Sequence, residues 1–445
     1  MEAGEVPSFL FLGPSPKRLM PLPELIEIVP LEKTVAAEIT APGSKSLTNR
    51  ALILAALADR EVTLRGALWS EDTQVMLDSL QRLGFQTTVQ ADSQESCNRT
   101  LAVRGLGGKI PYAGTADRPL QLFVGIAGTA ARFLAALVCL GRGVYRLEGT
   151  SRMHERPQAG LFNALRQLGY RVDSQNNRLP ADIFGTGPRP GAACAVKMEE
   201  SSQFASALLL CARAGGWTVE LAGQDPEEAP YVAMTQRLLK AFPRQGGWFE
   251  VEPDASSASY FCAAQWLLQP PSSITIASFP ASDWQIDAAF PSFLPLPAQL
   301  SRRTQLGDSI MTAMVLAPFA EHPVKFADLE RLRVQECERV AAMRTELSKC
   351  GVRVIEEGQS LTIFPAAGKL RGAEIETYDD HRVAMSLAVL GLKVPGLLLQ
   401  NPACVKKTFP NFFQKLAAPP PRGLGAILRD PRNGRALPEE ELFAG

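Results

Sequence analysis

Histidine, metal-type cysteine spacing, net charge and long apolar runs are all scarce in this chain, and each scarcity removes a class of function. Three histidines are too few for a histidine-rich metal centre. The eight cysteines (Cys97, Cys139, Cys194, Cys211, Cys262, Cys337, Cys350 and Cys404) show no CxxC pair and no zinc-ligand spacing. Several sit inside apolar runs, as Cys211 does in ALLLCARA, which describes reduced thiols in a core and not a disulfide framework. Lys plus Arg, 46 in all, balance 46 Asp plus Glu, so the overall charge points to neither nucleic acid nor a membrane surface. No segment has the uninterrupted apolar length of a membrane span. The opening MEAGEVPSFLFLG is acidic, and its apolar stretch is too short for a signal peptide. The expectation is a cytoplasmic protein without a metal site, any anion binding coming from local clusters of charge.

At 445 residues the chain can form two or three domains, each with its own core. Internal repeats organise it. Six segments pass from a small or charged cluster into an Ala/Leu-rich helix: GSKSLTNRALILAALA from Gly43, GIAGTAARFLAALVCL from Gly125, SSQFASALLLCAR from Ser201, DASSASYFCAAQWLL from Asp254, GDSIMTAMVLAPFA from Gly307 and DDHRVAMSLAVLGL from Asp379. A β-branched run follows each. Most continue into an amphipathic helix with apolar residues at i, i+3, i+4 and i+7, such as TQVMLDSLQRLGF, and then a further strand. The period of roughly fifty to eighty residues exceeds common solenoid repeats and predicts two compact domains of three units each. The fourth unit reads as truncated, because PSFLPLPAQLSRRTQ is Pro-rich. The tail after Leu416, rich in Pro, Gly and Arg, reads as mobile.

Ser, Thr, Asp or Gly at a helix start is ordinary capping. Lys or Arg beside the cap is not, since a cation at the positive helix end costs a few tenths to about 1 kcal/mol. Lys45 and Arg50 follow Gly43, Arg132 follows GTAA, and His381 with Arg382 follows two aspartates. Cations there make sense if an anion shares the spot with the helix N–H groups. PGSKS is no nucleotide loop: Ser44 separates Gly43 from Lys45, and no glycine stands upstream at the required spacing.

Eight motifs in order, APGSKSLTNRALILAALA (41–58), AGTAAR (127–132), SRMHERP (151–157), SSQ (201–203), DASSASYF (254–261), RVQECER (333–339), TYDDHRVAM (377–385) and CVKKTFPNFF (404–413), resemble the 5-enolpyruvylshikimate-3-phosphate synthase family of enolpyruvyl transferases. The resemblance implies an α/β (α+β) fold of two similar domains, each of three βαβαββ-type units with helices packed inside and the active site in the interdomain cleft. The first domain would comprise 1–42 plus 254–416 and the second 43–253, with 417–445 as the mobile tail. It also implies transfer of the enolpyruvyl group of phosphoenolpyruvate to the 5-hydroxyl of shikimate 3-phosphate with release of phosphate, on the way to chorismate and the aromatic amino acids. No metal or organic cofactor would be needed, and the enzyme would act as a monomer on these two small molecules.

By this resemblance Asp308 is the base at the hydroxyl and Glu336 the acid at the methylene carbon, with Lys45 touching both substrates. Ser46, Arg50, Ser201, Ser202 and Gln203 join Lys45 and Asp308 around shikimate 3-phosphate. Gly128, Arg152, Gln203, Arg339, Arg382 and Lys407 join Lys45 around phosphoenolpyruvate. Glyphosate, the family's inhibitor, occupies the phosphoenolpyruvate site, and the retained Gly128 predicts inhibition.

The chain departs from the family pattern at Gln335, where Lys is usual, at Arg331, where Asn is usual, and at Glu228, where Ser often holds phosphate. Ile126 and Phe133 stand where Asn and Pro are common, and the stretch from Trp284 to Asp308 is short by about one hairpin. Arg331 restores the charge lost at Gln335. Two other readings stay open: a UDP-N-acetylglucosamine enolpyruvyl transferase, which would need a loop cysteine that no position here supplies, and a non-catalytic anion-binding paralogue.

Overall fold

A helix that is apolar all round has no face to offer water and has to be enclosed. The computed structural model, which describes residues 22–197, 202–223 and 229–444, encloses six of this kind. They are Lys45–Leu57, Gly128–Leu137, Ser202–Gly215, Ala255–Leu268, Ile310–Leu316 and His381–Gly391. Every residue of the last two is buried. These are the six segments singled out in the sequence. Amphipathic helices such as Glu71–Arg82 and Arg339–Lys349 keep one face wet.

Among the described residues the strands form six sheets, and their order exposes the repeat. Leu120–Phe123 pairs parallel with Arg142–Glu148, which pairs antiparallel with Ala181–Thr186, itself antiparallel to Arg171–Asp173. The same parallel, antiparallel, antiparallel order links Gly247–Glu250, Glu61–Leu68, Asn98–Arg104 and Thr87–Ala91. It recurs through Gln299–Ser301, Val324–Ala327, Ser360–Ile363 and Val354–Glu357. Two sheets stop at the parallel pair: Ala193–Lys197 with Thr218–Ala222, and Ala36–Thr40 with Ser273–Ala277. In the second of these a 3-10 turn, Ile286–Phe293, follows where other units carry an α-helix and hairpin.

The apolar interior falls into two clusters. One runs from Leu47 to Val251; the other joins Leu22–Ile39 to side chains from Tyr260 onward. The chain passes twice between them, and the passages bond to each other: Ser44 N–H donates to Glu252 O at 2.8 Å and Asp254 N–H to Pro42 O at 2.7 Å. Gly43 is required there, because a Cβ on it would lie 1.9 Å from Gly66 O.

The tail corrects the sequence reading. Far from mobile, it completes the sixth sheet. Glu374–Ile375 runs parallel to Leu397–Gln400, which pairs antiparallel with Leu25–Ile28; Leu428–Asp430 then pairs antiparallel with Leu25–Ile28 on its other edge. Leu424, Leu428, Leu437 and Leu442 are all buried in the core. The tail therefore fills the place that the hairpin's outer strand fills in the other units.

Candidate active site

The inner helices of both halves point their N-termini at one cleft, with a cavity of about 180 Å³. Lys45, Ser46 and Arg50 enter from the helix Lys45–Leu57, Thr129 and Arg132 from Gly128–Leu137, and Ser202 and Gln203 from Ser202–Gly215. The other half supplies Asp308 just ahead of Ile310–Leu316, His381 and Arg382 from His381–Gly391, and Arg331, Gln335, Glu336 and Arg339. Arg156 and Arg302 complete the charged lining, and Tyr231 adds a phenol. Eight Lys and Arg face two carboxylates in a chain of zero net charge, so the cleft is a local trap for anions.

Capping accounts for some helix starts and not others. Asp254 and Asp380 accept from Ser256 N–H at 3.2 Å and Arg382 N–H at 2.8 Å, as ordinary caps do. The N-cap residues Ser44 and Ala127 make no side-chain cap bond to Lys45–Leu57 and Gly128–Leu137, whose first turns open on the cleft beside Lys45 and Arg132.

Both carboxylates are held by cations. Asp308 Oδ2 lies 3.0 Å from Arg382 Nε, and its Oδ1 lies 3.3 Å from Arg302 Nη2 and 3.8 Å from Arg339 Nη1. Burial alone would raise its pKa, yet the three guanidinium groups hold it well below the usual carboxylate range. Glu336 meets Lys407 Nζ at 2.9 Å and Arg339 Nη2 at 2.8 Å. Burial is again outweighed, chiefly by Lys407 and Arg339, and its carboxyl is also held low. Arg339 thus touches both carboxylates while Asp380 anchors its Nε at 2.7 Å. Gln335 also accepts from Arg339.

On the facing wall, Arg50 is buried, donating to Thr235 Oγ1 at 2.7 Å and Ser206 Oγ at 3.1 Å, and burial lowers its pKa to about 10. Arg132 is 3 % exposed, and its Nε and Nη1 have no hydrogen-bond partner among the described residues. Gly128 lets it approach Arg156: a Cβ there would lie 2.4 Å from Arg132 Nη1 and 2.6 Å from Arg156 Nη1. His381, counted in the sequence among the cations, is held neutral by burial and by Arg382 and Lys45.

Of the residues singled out in the sequence, Lys45, Ser46, Arg50, Ser202, Gln203, Asp308, Glu336, Arg339 and Arg382 line one cavity. Lys407 stands behind Glu336, and Lys45 Nζ lies 3.1 Å from Asp72 Oδ2. Gly128 borders the cavity without lining it. Arg152 lies outside it and is half exposed, paired with Glu155 and donating to Gln335 O at 3.5 Å. Ser201 and Glu228 fall outside the described residues. Arg302, Arg156 and Tyr231 were missed. Arg156 stood inside the quoted SRMHERP motif, whereas Arg302 gave no local signal. No His, Cys, Asp or Glu cluster suited to a metal ion occurs among the described residues, and no helix there is long and apolar enough to cross a membrane.

The fold is that of the enolpyruvyl transferases. EPSP synthase from Acinetobacter baumannii superposes with a TM-score of 0.72 at 20% identity, covering 91% of this chain and 100% of the other. The enolpyruvyl transferase NikO from Streptomyces tendae gives 0.66 at 17%, covering 93% and 99%. Sequence likeness narrows this to one family. The model of EPSP synthase (3-phosphoshikimate 1-carboxyvinyltransferase) matches residues 30–245 and 302–416. The 3-phosphoshikimate 1-carboxyvinyltransferase of Opitutus terrae is 40% identical over 89% of this chain and 98% of its own length; that of Nostoc punctiforme is 35% identical over 88% and 98%. The chain belongs to the EPSP synthase family.

Proposed function

We propose that this enzyme transfers the enolpyruvyl group of phosphoenolpyruvate to the 5-hydroxyl of shikimate 3-phosphate. The observation that carries the reading is Arg339, whose one guanidinium group touches both Asp308 and Glu336 in a cleft dominated by cations. The addition requires a proton at the methylene carbon of phosphoenolpyruvate and loss of one from the acceptor hydroxyl, so two carboxyl groups share one reaction centre. Asp308 accepts the hydroxyl proton, the freed oxygen attacks C2, and Glu336 protonates C3. In the elimination from the tetrahedral intermediate Glu336 takes a proton back from the C3 methyl as the C2–O bond to phosphate breaks, so the double bond re-forms. Asp308 returns its proton to the departing phosphate, whose charge the fixed cations stabilise.

In the structure both carboxyls are held ionised by cations. Substrate anions compete for those cations. Drawing Arg382 and Arg339 off Asp308, and Lys407 and Arg339 off Glu336, raises both pKa values toward what proton transfer needs. Lys45, Ser46, Arg50, Ser202 and Gln203 hold shikimate 3-phosphate, with Ser201 as their neighbour in sequence. Gly128, Arg152, Arg339, Arg382 and Lys407 surround phosphoenolpyruvate. The two halves, 22–42 with 254–444 and 43–253, close on the substrates about the paired crossings. One chain supplies the whole cleft, supporting a monomer, and eight free cysteines, six of them buried, suit a reducing cytoplasm.

Phosphate release tests the reading. The protein is incubated with phosphoenolpyruvate and either shikimate 3-phosphate or UDP-N-acetylglucosamine, with Lys45→Met as the inactive control. Release with shikimate 3-phosphate alone is expected. Release only with the amino sugar, or with neither acceptor, overturns it.

A further inference from the structure

Asp308 sits in the turn Gly307–Ser309, immediately before the helix Ile310–Leu316. Its carboxylate is steered by three arginines, and its carbonyl accepts from Met311 N–H at 3.3 Å, but the N-cap Ser309 makes no side-chain cap bond to the helix. The group that holds the turn comes from the shortened fourth unit. Asp287 Oδ1 accepts from Gly307 N–H at 3.0 Å, Ser309 N–H at 2.9 Å and the Ser309 hydroxyl at 2.5 Å. Its Oδ2 accepts from Ser256 Oγ at 2.5 Å. Asp287 is 6 % exposed, so water competes little for these bonds.

We infer that Asp287 is a positioning residue for the reaction, one carboxylate oxygen gripping the peptide on both sides of Asp308 so that the base meets the acceptor hydroxyl in register. The inference rests on the reading of Asp308 as that base. Stability alone does not favour a charge here. Asp287 faces Asp254 as well as Tyr231 and Arg382, and a neutral serine or asparagine cap would satisfy a helix start without repulsion from Asp254. What the carboxylate adds is reach: charge-assisted bonds to three donors of one turn, with the far oxygen tied to the helix Ala255–Leu268 that begins at the chain crossing. A misplacement of about 1 Å in such a group costs on the order of 10²-fold in rate.

The test compares Asp287→Ala with Asp287→Asn, kcat being counted per site that binds shikimate 3-phosphate. Asp287→Ala is expected to lower kcat on the order of 10²-fold with KM for both substrates within about twofold. Asp287→Asn keeps the Oδ1 acceptor but loses the charge and the second acceptor, and is expected to recover part of that loss. If Asp287→Ala does not fold, Asp287→Glu carries the test: the carboxylate is kept but shifted by a methylene, and the same isolated kcat loss is expected. Unaltered kcat per binding site, or an Asp287→Asn variant as impaired as Asp287→Ala, overturns the inference. A wild-type protein that releases no phosphate in the same assay instead refutes the functional reading, and the inference with it.

Discussion

Lys415 Nζ lies 2.8 Å from Glu95 Oε2, and the two residues come from opposite halves of the molecule. Thr40 and Asn411 add bonds of 2.5 and 2.6 Å to the same carboxylate, whose side chain is only 4% exposed. Breaking such a pair strands a buried charge, which costs about 3–5 kcal/mol. Glu95→Ala should lower the urea midpoint accordingly, and the double variant with Lys415→Met should recover part of the loss. An unshifted midpoint in the single variant would show that the pair does not fasten the halves.

Removing residues 418–444 should prevent stable folding. The segment contributes four buried leucines and a strand on the free edge of Leu25–Ile28. Each buried leucine is worth roughly 1.5–3 kcal/mol, so the sum rivals the total stability of a typical domain, about 5–15 kcal/mol. Far-UV circular dichroism and a melting curve decide it; a truncated protein melting like the full chain would contradict the docked tail.

Arg331 lines the cleft beside Gln335, and under the proposed function it supplies the charge for shikimate 3-phosphate. Arg331→Ala should raise KM for that substrate on the order of tenfold or more, a charge-assisted hydrogen bond being worth about 1.5–3 kcal/mol. KM for phosphoenolpyruvate should change little. No rise in the first value sinks the assignment.

Gly128 leaves room for Arg132 and Arg156 to lie together. Gly128→Ala should push one of them aside and raise KM for phosphoenolpyruvate several-fold. Glyphosate should inhibit the unmodified enzyme competitively with phosphoenolpyruvate. Full activity at high glyphosate would refute that expectation.

Glu336 is held below the usual carboxylate range in the folded protein, where Lys407 and Arg339 outweigh its burial. Its ionised form is therefore favoured by folding. That stabilisation is complete above the unfolded value of about 4.3 and is lost as pH falls through the lower folded value. Glu336→Gln should be less stable than wild type at pH 7, and the gap should close on acidification below about pH 4. A gap that is constant with pH would mean that the cations do not act on this carboxyl.

The sequence alone determined the six inner helices, because an apolar surface on every side is a property of a short window. It marked Lys45, Arg50, Arg132 and Arg382 for a related reason: a cation at a helix start is locally unfavourable and calls for an anion. The pairing of Asp308 with Glu336 came through motif resemblance. Only the tertiary structure decided the rest. Arg302 and Asp287 look like ordinary surface charges in their own windows, and their meaning lies in bonds to a turn formed elsewhere. The tail reads as mobile because Pro, Gly and Arg dominate it locally. It is ordered because Leu428 pairs with Ile28, and an open sheet edge hundreds of residues away leaves no trace in the tail's own composition.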